Sequence, residues 1–381
     1  MMKLRHDHAI LVLALALLVI GLGMVFSASH EIARTKFDDP FFFLKRQLFR
    51  SLVGLGALLV ASQVDFRQWR RLARPGLLLA CSGLAVVFLF NEIRGARGWV
   101  QIMGRTLQPV EFARLALVCF LAAEIARLGP RLQSVREGLL PIGGVIAVVL
   151  GLVLAQPDFG SAMALSLICL TLLFVGGARL THLAGIAGGA LAAAVVVAWQ
   201  KPHVRARFLG FLHPDAHASG DAYQSLQSVM SIGSGGPFGK GLGQGFAKYG
   251  YLPDPHTDFI FSVMGEEIGF IGCAIVLALF LYLVGRAIRV ARAHEDPFAR
   301  LLAVGIGMSL FWYVLINVMV AIRLFPVTGL PLPLVSYGGS ALTSHLFALG
   351  ILRNLARQAE TARGPRVRFR VPQRSPAEAV L

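Results

Sequence analysis

The sequence predicts an all-α membrane protein of ten transmembrane helices, and three observations lead there. Of its 381 residues, 56% are hydrophobic and only 15% are charged, against about 25% charged in a soluble globular chain; mean hydropathy is +0.69. The apolar residues form continuous runs of about 20, the length a helix needs to cross a bilayer, without the alternation of a barrel strand. Lysine and arginine gather in every second connection between those runs, as cytoplasmic loops do. Composition alone excludes soluble, disordered and collagen-like classes.

In chain order the predicted spans are 9–28, 48–64, 75–91, 110–126, 138–156, 160–177, 181–199, 259–285, 300–322 and 336–356. The first has no small-residue cleavage site and is long enough to cross, so it reads as an anchor. With the N-terminus in the cytoplasm, the inner side receives Lys3 and Arg5, then Arg67, Arg70, Arg71 and Arg74, then Arg127, Arg131 and Arg136, then Arg179, then Arg286, Arg289, Arg292 and Arg300, and finally the arginines from Arg353 to Arg374. Both termini are therefore expected inside. The membrane domain is 1–356, and the basic tail 357–381 has too little to bury and is expected to be disordered. The net charge of +16 belongs to membrane-facing loops. Without basic stripes interleaved with aromatics, nucleic-acid binding is excluded. The four cysteines lie inside apolar runs without CxxC spacing and read as small buried hydrophobes.

Residues 200–258 connect the seventh and eighth spans on the non-cytoplasmic side. A loop of that length in a compact protein is usually functional, and chemistry is expected there. It ends in Leu252-Pro253-Asp254-Pro255-His256-Thr257-Asp258-Phe259-Ile260-Phe261. Asp258 stands where the chain re-enters the membrane, and partial desolvation there suits a general base. The alternative is a helix cap or dipole partner. Gly233 to Gly245 is more than half glycine with Lys240 in its middle; such backbone can present N–H groups to an anion, or can simply bend. Gln108, Glu111 and Arg114, spaced by three after Pro109, fall on one side of the fourth span. They suit either a substrate contact or a structural ion pair. The run Pro326 to Ser340, with Ser336 and Tyr337, breaks the connection into the tenth span, and such backbone at membrane depth lines a cavity or makes a turn. Gln156-Pro157-Asp158-Phe159-Gly160 is a tight turn, and Glu266 and Glu267 lie inside the eighth span in need of partners. No zinc, P-loop, dinucleotide-binding or Ser-His-Asp pattern occurs.

Taken in order, the segments around LPxxHTDFIF, GSGGxFGKGxGQ, QPxE, QPDFG and PVTGLPLPLVSYGGS resemble the SEDS family of bacterial membrane glycosyltransferases, the FtsW and RodA proteins, over residues 10 to 356. Ser27-Ala28-Ser29, the stretch Asp39 to Gln47, Gly243-Gln244 and Tyr251 are more similar to the division type; the elongation type stays open. The resemblance implies ten transmembrane helices with a large extracytoplasmic loop between the seventh and eighth. It implies polymerisation of lipid II into peptidoglycan strands, and it places the family's essential aspartate on Asp258. Departures fall at Arg114, where many members have Lys, at Gly98 before Trp99, where many have Arg (here Arg97 stands one earlier), and at Arg323, where a small residue is common.

On that resemblance the reaction is an inverting transfer with Asp258 as base and undecaprenyl pyrophosphate as leaving group. Departure of a pyrophosphate calls for cations and N–H donors. The candidates are Lys240, Arg114, Arg97 and the glycine-rich backbone, with Arg205 and Arg207 further options. Trp99, His256, Gln108, Ser336 and Tyr337 complete the expected substrate-binding set, and Glu111 shapes the cavity. The lipid tail is expected in a membrane-exposed groove. The resemblance fixes no cofactor; a divalent cation, Mg or Mn, could share the pyrophosphate charge, and no dedicated metal site is present in the sequence. Expected partners are a class B penicillin-binding protein, other division proteins and membrane lipids, in the inner membrane. The rival reading is a lipid II flippase, which needs polar lining through the full depth, and a third is a non-catalytic scaffold.

Overall fold

The computed structural model describes residues 6–90, 98–102, 105–200, 205, 209, 211 and 221–362. Among them are α1 (His6–Phe37), α2 (Phe42–Ala61), α3 (Phe66–Val86), α4 (Pro109–Leu128), α5 (Leu140–Ala155), α6 (Phe159–Val175), α7 (Leu180–Gln200), α8 (Asp221–Gly235), α9 (Ile260–Ala293), α10 (Pro297–Ala321) and α11 (Gly339–Ala362). Among the described residues five stretches, including α1, α9 and α10, are long and apolar enough to cross a membrane. Large apolar side chains such as Leu52, Leu78, Leu79 and Val19 point outward, as they do where lipid is the solvent. This is an all-α membrane protein, with one small exception. Val100–Ile102 and Arg105–Leu107 pair antiparallel, with Val100 opposite Leu107, a hairpin that the apolar pattern did not announce.

Helix ends differ from the apolar windows for local reasons. The third helix begins at Phe66, not 75, because Asp65 caps it by accepting from the Arg67 amide at 2.8 Å. Arg67, Arg70, Arg71 and Arg74 therefore ride on its first turns, with Pro75 inside the helix. The last helix runs to Ala362, so 357–362 are helical rather than disordered; the rest of the tail lies outside the described residues. Asp296 caps α10, accepting from the Phe298 and Ala299 amides at 2.8 and 3.2 Å and pairing with Arg70. Burial works to raise its carboxyl, but the Arg70 bond and the helix amides outweigh it and hold the group below the usual carboxylate range.

The helices pack closely: α2 lies along α11, α9 along α10, and α3 along α4. A Cβ at Gly350 of α11 would stand 2.3 Å from the Leu58 carbonyl of α2. That is the small-residue contact that lets helices approach in lipid, where burial alone gives no drive.

Helix α9 is broken at Gly269, with φ 67° and ψ −172°. In an intact helix the amides of Phe270 and Ile271 would bond the carbonyls of Glu266 and Glu267. Here the segment 236–241 inserts between them. Lys240 and Gly241 donate to those two carbonyls at 2.9 and 3.0 Å, and Phe270 and Ile271 donate to Gly236 and Pro237 at 2.9 and 3.0 Å. All four groups stay satisfied, as a membrane-spanning segment requires. Gly269 occupies a backbone region nearly reserved for glycine, and a Cβ there would lie 2.2 Å from the Gly239 nitrogen. Gly269→Ala is expected to cost at least about 1–3 kcal/mol, read as a lowered unfolding temperature of the purified protein; unchanged stability would mean the inserted segment is not held as described.

Candidate active site

Three of the polar clusters among the described residues hold the expected site residues or border them. The first gathers four of the expected site residues. Asp258 is half-buried, one residue before Phe259, which takes the N-cap position of α9; Asp258 is thus not itself the N-cap residue. The backbone on its N-terminal side is pinned one carbonyl after another. The His256 carbonyl accepts from the Tyr337 amide at 2.9 Å, the Thr257 carbonyl from the Ser336 hydroxyl at 2.6 Å, and the Asp258 carbonyl from the Asn317 amide at 2.9 Å. His256 is 5% exposed, with its ring between Phe43 and Tyr337 at centroid distances of 4.5 and 5.4 Å. Gln47 donates to the Ser336 carbonyl at 3.2 Å. Arg50 lies 4.6 Å over the Tyr337 ring and brings a cation to the edge of the cluster. Gly329 flanks the carboxylate, with a Cβ position 3.7 Å from Asp258 Oδ2.

The second cluster holds the glycine-rich segment. Lys240 Nζ pairs with Glu266 Oε1 at 2.8 Å, and Glu266 also accepts from the Phe246 and Ala247 amides at 2.9 and 3.0 Å. Lys248 pairs with Glu267 at 3.1 Å and donates to the Gly243 carbonyl at 2.5 Å. Ser27 of α1 donates to Glu267 at 2.6–2.7 Å. The two glutamates that needed partners in α9 thus find them in the loop. In this conformation the Lys240 charge is neutralised by Glu266, whose place in the sequence gave no sign of the pairing.

The third cluster contains Glu111 and Arg114. Arg114, 2% exposed, pairs with Glu111 at 3.2 Å. It also meets Ser344 at 3.2 Å and His345 at 3.3 Å, and its guanidinium lies 4.8 Å over the Tyr313 ring. Tyr313 in turn donates to Glu111 at 3.4 Å, and the charge of Asp158 acts on both. In the QPxE segment Glu111 and Arg114 thus form a buried ion pair. Gln108 precedes α4 and its backbone N–H donates to the Ser340 hydroxyl at 2.9 Å, tying the start of α4 to the start of α11. Trp99 is half-buried ahead of the hairpin, and Arg205 is exposed. Arg97 and Arg207 lie outside the described residues.

A groove of about 950 Å³ opens between α1, residues 242–249 and α9, lined among others by Met24, Ser27, Lys248, Ile268 and Val276. It borders the second cluster, and Asp258 is not among its lining residues. Among the described residues no group of three or more His, Cys, Asp or Glu side chains could hold a metal ion. Sequence reasoning missed Asn317, Tyr313, His345 and Lys248. A lone Asn or His inside an apolar run is a signal for the first and third; Tyr313 and Lys248 carry none.

A family model described as "Cell cycle protein", covering the FtsW, RodA and SpoVE proteins, matches residues 7–361. A Trichlorobacter lovleyi protein named "Probable peptidoglycan glycosyltransferase FtsW" is 40% identical over 355 residues, covering 92% of this chain and 93% of the relative. A chain from work on "Structural coordination of polymerization and crosslinking by a peptidoglycan synthase complex" superposes with a TM-score of 0.76 at 32% identity, covering 94% of this chain and 99% of that one. Thermus thermophilus RodA superposes with a TM-score of 0.69 at 29% identity, covering 94% and 98%. A fold shared over nearly the full length, together with a sequence match of the same extent, settles the kinship: this chain belongs to the FtsW/RodA/SpoVE family of cell cycle proteins.

Proposed function

We propose that this chain is a peptidoglycan glycosyltransferase that polymerises lipid II, with Asp258 as the general base. The observation that carries the assignment of the base is the pinned, half-buried Asp258 at the junction of loop and helix. The Asp258 carboxylate takes the proton from the 4-hydroxyl of the acceptor's GlcNAc. That oxygen attacks the anomeric carbon of the donor's MurNAc with inversion, and the bond from that carbon to the pyrophosphate oxygen breaks. Undecaprenyl pyrophosphate departs with the electron pair. Arg50, beside Tyr337, is a cation suited to the leaving charge. Lys240 and Arg114 can join only by exchanging their present carboxylate partners, which supports a positioning role for both in this conformation. The apolar groove beside α1 and α9 suits a polyprenyl tail.

Ten helices, α1 to α7 and α9 to α11, cross the inner membrane with both termini in the cytoplasm. Residues 200–258, including α8, form the extracytoplasmic loop. The basic residues of the inner loops support that orientation. The partner is a class B penicillin-binding protein; the relative whose complex coordinates polymerisation with crosslinking supports this choice. The division role is favoured by the FtsW relative at 40% identity.

The test is polymerisation of labelled lipid II by the purified protein with its cognate transpeptidase, read as a ladder on a gel. A ladder is expected. No ladder, alongside lipid II movement across vesicle membranes, would establish the flippase instead.

A further inference from the structure

We infer that Asn317 is a positioning residue for catalysis: it sets the distance between Asp258 and the Gly329-Leu330 backbone that flanks its carboxylate. The inference rests on the reading of Asp258 as base. Asn317 lies in α10, 1% exposed. Its side-chain nitrogen donates to two carbonyls from different parts of the chain, Asp258 at 2.9 Å and Leu330 at 2.8 Å. Only an NH₂ group can serve two acceptors at once, so the orientation of the amide is fixed by its partners. Among the described residues its own oxygen, which is buried, has no hydrogen-bond partner. An asparagine that spends both donors on carbonyls from two segments ties those segments together.

What the donors join is the site. One amide clamps the residue carrying the base and the residue after Gly329, whose Cβ position is 3.7 Å from Asp258 Oδ2. Ser336 makes a second clamp across the same two segments, donating to the Thr257 carbonyl at 2.6 Å and accepting from the Leu332 amide at 2.8 Å. On either side of the clamped residues Leu330 and Leu332, Gly329 and Leu334 both sit at positive φ, 74° and 62°. Leu334 is strained there, so this segment keeps its shape only while its contacts hold it. Releasing Asn317 frees the Asp258 carbonyl and the segment opposite at once, and the carboxylate loses its fixed position against the acceptor hydroxyl. A misplacement of about 1 Å in a reacting group can cost about a hundredfold in rate.

The experiment compares Asn317→Leu, Asn317→Ala and Asp258→Asn with wild type, for kcat and KM toward lipid II and for unfolding temperature. Leu keeps the volume and has no donor. Ala leaves room for a water, which can donate to the same carbonyls. The expected kcat order is wild type, then Ala, then Leu, with Leu lowered by about ten- to a hundredfold and KM within about twofold. Should Leu fail to fold, Ala carries the test with the same split between kcat and KM. A wild-type kcat in either folded variant overturns the positioning role, as does a fall in kcat matched by a rise in KM and a loss of stability. Asp258→Asn separates the two readings. If it keeps its activity, the base assignment fails and this inference with it. If it is inactive while the Asn317 variants turn over normally, only the positioning role fails.

Discussion

Asp258→Asn is expected to reduce lipid II polymerisation by about 10²–10⁴-fold, the contribution of a well-placed general base. The exchange keeps the shape of the side chain and cannot accept the proton. Three bonds that hold the backbone of the cluster run to the carbonyls of His256, Thr257 and Asp258, and the exchange leaves those carbonyls in place. Loss of activity at an unchanged unfolding temperature, with unchanged assembly with the transpeptidase, would therefore be chemical. A variant within tenfold of wild type would remove Asp258 from the proton transfer and make its carboxylate a structural group beside α9.

Glu111→Leu should be the most destabilising single change among the buried polar clusters. Arg114 would remain 2% exposed and would lose its paired carboxylate, keeping Ser344, His345 and the Tyr313 ring as neighbours among the described residues. Removing one partner of a buried ion pair costs about 3–5 kcal/mol, mostly because the remaining charge is stranded. The double change Glu111→Leu with Arg114→Leu should recover much of that loss, since both charges then disappear together. Thermal unfolding of the single and double variants in detergent would check both statements. A single variant as stable as wild type would mean that Arg114 finds another anion, and the pair would no longer be structural.

The parts of the fold visible in the sequence are those set by local chemistry. Apolar runs of span length announce the helices, Pro109 marks the first turn of α4, and the segment around Gln156 to Gly160 marks the turn into α6. The elements that were missed depend on distant partners. The periodicity of α9 passes through Gly269 without interruption, and only the insertion of 236–241 reveals the break. Asp65 could have placed the start of α3 correctly, but the arginines that follow it hid the helix from a hydropathy reading. The sequence offered candidate residues and not their arrangement. His256, Asp258, Ser336 and Tyr337 fall together, whereas Lys240 and Arg114 already hold carboxylate partners. Asn317 was overlooked because one polar residue does not disturb an apolar average.

The break in α9 also bears on how the protein is made. Two adjacent glutamates near the start of a long apolar helix would be costly to leave in lipid without counter-charges. Their partners lie 26 residues upstream for Lys240 and 19 upstream for Lys248. At about 5–20 residues per second of synthesis, each lysine is added roughly one to five seconds before the carboxylate it will neutralise. The amides and carbonyls of 236–241 that replace the missing helical bonds are also upstream. When α9 enters the bilayer, everything needed to satisfy its interrupted turn has already been translated, so its insertion waits on nothing the ribosome has yet to supply.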